Sequence, residues 1–94
     1  METDFVKRGR LEIVYEILSV CRRPSKKTNI LYRCNLSYEQ LLKYLSYLIS
    51  HDLLGSFEKE RAGIFFQVTD KGRRFLEGYE ILRNIVEETA PTVN

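Results

Sequence analysis

One histidine, two cysteines, two prolines and no tryptophan are all that these 94 residues hold of those types, and each shortage excludes something. With His51 alone, and with Cys21 and Cys34 lacking CxxC spacing, a zinc site would need ligands from a second molecule or from carboxylates. Both cysteines fall on apolar helix positions and read as small buried hydrophobes, while a disulfide between them stays open because spacing does not fix its geometry. Catalysis by a Ser-His-acid set would have to use His51, beside Asp52 late on an amphipathic helix. No nucleophile elbow, P-loop or dinucleotide fingerprint accompanies it. Neither an enzyme nor a cofactor is expected. No apolar run approaches the roughly 18 residues of a membrane span, and METDFVKRGR lacks the apolar stretch of a signal peptide, so a cytoplasmic location without a membrane partner is expected.

What is present is an ordinary globular composition, 44% hydrophobic and 30% charged, at a length that suits one domain over residues 1–94. The formal charge of +2 conceals an uneven distribution. Residues 1–43 carry nine bases and five acids, and residues 44–94 carry six bases and eight acids. Between Arg22 and Lys43 six bases (Arg22, Arg23, Lys26, Lys27, Arg33, Lys43) face one acid, Glu39. A positive patch of this kind is an electrostatic footprint for nucleic acid.

Apolar periodicity predicts a first helix over residues 10–21, with Leu11, Val14, Tyr15, Leu18 and Cys21 on one stripe and Ile13, Ile17 and Val20 on another. Pro24 follows its end, and Ser25 is the expected N-cap of a short second helix over residues 26–34. Two lysines at that helix start oppose the helix dipole and make better sense with a phosphate there. Asn35 and Leu36 form a turn. Ser37, with Gln40 three positions on, opens a third helix through a capping box. Its apolar side is expected to hold Tyr38, Leu41, Leu42, Leu45, Leu48, Ile49 and Leu53, leaving Gln40, Lys43 and Tyr47 opposite and Tyr44, Ser50 and His51 at the margins. Residues 57–59 and 64–68 read as a hairpin around a Gly63-containing loop, with Ile64, Phe66 and Val68 facing the core. Thr69 caps a fourth helix over residues 70–89, which Pro91 should stop.

The expected fold is α+β, mostly α: a winged helix-turn-helix with a three-helix core (10–69), a two-stranded wing and a C-terminal dimerisation helix (70–89). In that arrangement the helix from Ser37 enters the major groove of double-stranded DNA. Gln40 and Lys43 suit adenine and guanine edges, and Tyr47 suits a sugar, phosphate or thymine methyl. Lys26, Lys27 and Arg33 would hold the phosphate backbone, and Lys59 and Arg61 charge the wing. Tyr15 and Tyr38 read as packing residues, whereas Tyr44 and Tyr47 serve packing or DNA contact.

The runs LEIVYEIL, KKTNILYRCNLSYEQLLKYLSYLISHDLL and FQVTDKGRRFLEGYEIL resemble the archaeal winged-helix family of small DNA-binding transcriptional regulators, which includes the chromatin-type proteins of Sulfolobus. The resemblance covers residues 10–86 and is most specific at K-T-x-I (Lys27 to Ile30), N-L-S-Y (Asn35 to Tyr38) and T-x-K-G (Thr69 to Gly72). It implies a nucleoid-associated DNA-binding protein that dimerises through its last helix, with Lys27, Ser37, Lys43 and Tyr44 at groove or phosphate contacts. Some members of that family carry a longer last helix that forms an antiparallel coiled coil. Here the dimer seam expected from spacing is Tyr79, Leu82, Ile85 and Val86, under two heptads long. An architectural DNA-binding protein and a winged-helix protein-interaction module are the alternative functions.

Overall fold

Apolar spacing along residues 10–21 demands a helix covered on more than one side, and that helix lies at the centre of the molecule. The computed structural model describes residues 8–89; the N-terminal METDFVK and Pro91 lie outside the described residues. The elements are α1 (Arg10–Val20), α2 (Lys27–Cys34), α3 (Tyr38–Ser50), β1 (Leu54–Lys59), β2 (Gly63–Val68) and α4 (Asp70–Thr89). This is the expected mostly helical α+β architecture of three helices, a hairpin and a helix. In α1 Ile13, Val14, Ile17 and Leu18 are buried, and Cys21 closes the same core at the helix end. Helices α2 and α4 and strand β2 all pack on α1.

The passage from α1 to α2 differs from the expectation. Ser25 does not cap α2; Lys26 stands at the N-cap and offers no side-chain hydrogen bond. Instead Ser25 is drawn into the hairpin, its N–H donating to the Phe66 carbonyl (2.9 Å) while the Phe66 N–H donates to the Ser25 carbonyl (2.8 Å). Its hydroxyl turns back to the Val20 and Arg23 carbonyls. Two backbone bonds in the interior outweigh the roughly 1 kcal/mol of a surface cap, because buried N–H and C=O groups must be paired.

Between α2 and α3 the N-L-S-Y motif acquires a physical account. Asn35 ends α2 in the left-handed region (φ 54°, ψ 54°), a conformation that asparagine tolerates better than most residues. Leu36 is buried, with its N–H donating to the Leu31 carbonyl (3.2 Å). Ser37 and Gln40 form the expected capping box, at 3.1 Å from the Gln40 N–H to Ser37 Oγ and 3.0 Å from the Ser37 N–H to Gln40 Oε1. Arg8 reaches the carbonyl of Asn35 and pairs with Glu16, tying the start of α1 to this turn.

The hairpin is longer than expected, pairing from Leu54↔Val68 to Lys59↔Gly63. Leu54, Phe66 and Val68 enter the core, but Ile64 does not: it is 55% exposed, beside the first turn of α2. The T-x-K-G motif fastens the hairpin's far end to both flanking helices. Thr69 Oγ1 donates to the Asp52 carbonyl (2.7 Å) and accepts from the Gly72 N–H (3.0 Å), and Lys71 Nζ donates to the His51 carbonyl (2.9 Å). Carbonyls left unpaired where α3 ends are thereby satisfied by the start of α4. At Gly72 a Cβ would run into the Leu53 carbonyl and Val68 Cγ2. Gly72→Ala is therefore expected to destabilise the fold by about 2–3 kcal/mol, from overpacking against backbone, read as a lowered urea midpoint with an unchanged slope.

Candidate nucleic-acid interface

Helix α3 buries a narrower stripe than its sequence pattern implies. Leu41, Leu45 and Leu48 are buried and Tyr44 is half-buried against the core, whereas Leu42 and Ile49 are each 40% exposed and Tyr38 is 58% exposed. Tyr38 is thus not a packing residue. At about 100° per residue, the burial of Leu41, Leu45 and Leu48 directs Glu39, Lys43, Ser46 and Ser50 straight outward. Gln40 and Tyr47 flank that row on the side of Tyr44, and Tyr38, Leu42 and Ile49 flank it on the other. The acid Glu39, which the sequence pattern displaces toward the edge of the polar face, therefore sits in the outward row itself. Sequence reasoning missed Ser46 because it centred the stripe on seven apolar residues instead of the three that are buried where α2 and β1 pack on α3.

The outward row is uncovered by the chain's own hairpin. Residues 39, 40, 42, 43, 46, 47, 49 and 50 are all exposed. Tyr47 is steadied by His51, whose ring centroid lies 4.4 Å from its own.

A second group forms where α2 begins beside the wing. Lys26 Nζ lies 5.6 Å from the Phe65 ring centroid and Lys59 Nζ 5.2 Å from it, so two expected phosphate contacts from distant parts of the chain share one aromatic support. Phe65 is itself stacked against Phe57. Lys27 adjoins this group at the first turn of α2, which contains no acid. Arg61 stands at the wing turn with φ 66°, and Arg33 is exposed at the other end of α2 next to Tyr32, which is 80% exposed. Arg61 and Arg33 are not drawn into the Phe65 cluster.

Helix α4 changes character midway. Leu76 is fully buried, and Tyr79 stacks on Tyr15 at 4.6 Å between centroids. Glu80 accepts from the Tyr15 hydroxyl (3.0 Å) and from Arg22 (2.8 Å). Tyr79, expected in the dimer seam, is engaged within its own domain. From Ile81 onward every described residue is exposed, including Ile81, Leu82, Ile85 and Val86 at 50–64%.

This geometry, two helices joined by a tight turn and followed by a hairpin and a protruding helix, is that of a known family. A family model described as winged helix-turn-helix matches residues 7–87. The chain belongs to the winged helix-turn-helix family. Two archaeal relatives from Methanocaldococcus jannaschii align with it. Uncharacterized protein MJ0287 is 31% identical over 77 residues, covering 80% of this chain and 74% of that protein. Uncharacterized protein MJ0290 is 34% identical over 76 residues, again 80% of this chain; the chain spans only 34% of that longer relative. Among solved winged-helix structures, Sso10a-2, a DNA-binding protein from Sulfolobus solfataricus, superposes with a TM-score of 0.70 at 25% identity, over 92% of this chain and 100% of that one.

Neither cysteine of this winged helix belongs to the exposed surface. Burial pushes the Cys21 thiol up to about 12, helped by nearby Cys34, and burial with the carboxylate of Glu16 pushes Cys34 up to about 11. Among the described residues no cluster of three His, Cys, Asp or Glu side chains could hold a metal ion. The native thiols should thus stay protonated and unreactive: alkylation by iodoacetamide at pH 8 is expected to follow global unfolding rather than precede it. Because the unfolded chain loses these protons from the ordinary value of 9.0 upward, stability should fall as pH rises from there toward the native values. Rapid labelling under native conditions would contradict both expectations.

Proposed function

We propose that this winged helix binds duplex DNA by placing α3 in the major groove, and that it acts as a transcriptional regulator. The observation that carries this reading is the uncovered outward row of α3, set in the basic half of the chain, together with the Lys26–Lys59 cluster where α2 meets the wing. Lys43 lies in that row and suits guanine O6 and N7, Gln40 on its flank suits adenine, and Glu39 suits the amino group of cytosine. A lone carboxylate among donors is compatible with a groove, where it accepts from a base edge and discriminates against the wrong one. Ser37, Tyr44 and Tyr47 border the row. Lys26, Lys27, Arg33, Lys59 and Arg61 are assigned to phosphates, where they position the protein without reading sequence. A helix start with two lysines and no side-chain cap gains most from an anion at its exposed N–H groups.

The second half of α4 supports a homodimer. At about 1.5 Å per residue the helix spans some 30 Å, and only its first half rests on its own domain. Ile81, Leu82, Ile85 and Val86 then leave an apolar face that a second copy would cover, aided by the partner's first helix since under two heptads make a weak coiled coil. A two-fold dimer would read half-sites about 34 Å apart or a multiple of it. The near-neutral net charge of +2 favours a regulator over an abundant coating protein, which depends on stronger non-specific attraction. The retained basic surface speaks against a module devoted to protein partners.

Fluorescence anisotropy with a labelled duplex tests the assignment. With about four to six bases per protomer on phosphates, log affinity should fall with log salt at a slope near −4 to −5. Lys43→Ala should cost about 1–3 kcal/mol on a cognate site and relax one base position, whereas Lys27→Ala should weaken all duplexes alike and flatten the slope by about one unit. No duplex binding at micromolar protein in low salt would favour a protein partner instead. Sedimentation equilibrium is expected to show a dimer at micromolar concentration, and a Leu82→Glu, Ile85→Glu double variant should be monomeric; a wild-type monomer would remove the α4 interface.

A further inference from the structure

The first turn of α1 and the middle of α3 do not close on each other. They leave a cleft of about 560 Å³ lined by Arg10, Leu11, Val14, Lys43, Tyr44 and Tyr47. Its size falls within the roughly 300–1,000 Å³ of small-molecule sites. The sequence pattern placed Leu11 on the core stripe of α1, yet it is 63% exposed because it stands at the mouth of this cleft.

We propose that this cleft binds a small amphipathic anion of the aryl carboxylate class, and that its occupant competes with DNA. Two aliphatic side chains and two phenol rings supply apolar walls on which an aromatic ring packs. Two cations from different helices, Arg10 and Lys43, stand at the same cleft, and among the described residues no acid lines it. Among the described residues neither cation forms an ion pair. A cationic ligand would be repelled and a neutral one would leave both charges unanswered, whereas a carboxylate accepts a bidentate pair from the guanidinium and a further bond from the ammonium. Lys43 and Tyr47 also belong to the proposed groove surface, so an anion held there withdraws a base-reading charge from DNA. That competition rests on the DNA reading; binding of the anion does not.

The test uses the full chain, titrated without DNA by naphthoate and followed by methyl NMR. Saturable shifts at Leu11 and Val14 are expected, with affinity about tenfold weaker for uncharged naphthamide and about tenfold weaker in Arg10→Ala, the range of a lost charge-assisted bond. Leu11→Trp, at an exposed position, should fill the mouth and abolish the shifts while the rest of the spectrum stays native. In a second arm, naphthoate should weaken duplex binding by the wild type and leave that of Leu11→Trp unchanged. No shift at about 5 mM naphthoate, a hundredfold above an ordinary 50 μM site, would overturn the proposal, as would equal affinity for naphthamide. Contacts from Phe5 or Val6 to the Val14 methyls that the probe does not displace would assign the cleft to the chain's own N-terminal residues. Shifts that track protein concentration without probe would assign it to a second copy. Either result overturns the ligand. Naphthoate binding with unaltered duplex affinity overturns the competition, and a wild type that binds no duplex overturns the DNA reading while leaving the cleft intact.

Discussion

The fold depends on the close approach of α4 to the end of α3. Three carbonyls at His51, Asp52 and Leu53 lie where α3 stops and have no partner within that helix. Lys71 Nζ, Thr69 Oγ1 and the Thr69 N–H donate to them in turn. The same Thr69 hydroxyl accepts from the Gly72 N–H, so one side chain both ends α3 and begins α4. Gly72, with no Cβ, lets the two backbones meet. This junction sets the direction in which α4 leaves the domain and so decides which of its residues meet α1 and which meet solvent.

Features fixed by local chemistry were legible in the sequence. The capping box at Ser37, the cap at Thr69 and the order of elements follow from residues within a turn of one another. Features settled by distant neighbours were not. Ser25 has the residue type of a cap, and only the position of β2 explains why its backbone pairs with Phe66 instead. Leu42 and Ile49 carry the helical spacing of a core stripe, yet no element covers that side of α3. Ile64 alternates correctly with Phe66 and Val68 but stays open to solvent beside the first turn of α2. Periodicity states which side chains share a face; how far the neighbouring layer extends across that face is a property of the whole fold.

The exposed basic groups are brought together from parts of the chain with no sequence proximity. Lys26 and Lys59 meet at Phe65, and Arg10 meets Lys43 across an open cleft. A count of charge along the sequence finds the basic half but not these pairings, because each is created by the angle between elements. The near-zero total charge of the molecule follows from the same organisation. On α4 five acids (Asp70, Glu77, Glu80, Glu87, Glu88) face four bases, α3 and the hairpin are each balanced, and the excess of positive charge lies on α2 and the residues that lead into it, Arg22, Arg23 and Lys26.

The wing is joined to the rest at two levels, by the Ser25–Phe66 backbone bridge and by Lys26 over the Phe65 ring. The hairpin therefore has no independent swing at its base: the corner that sets the start of α2 also sets the strand leading to the turn at Arg61. Wing and helix pair are thus spaced by one corner of the fold. If α3 enters a duplex as proposed, the same corner sets the groove width that the protein accepts.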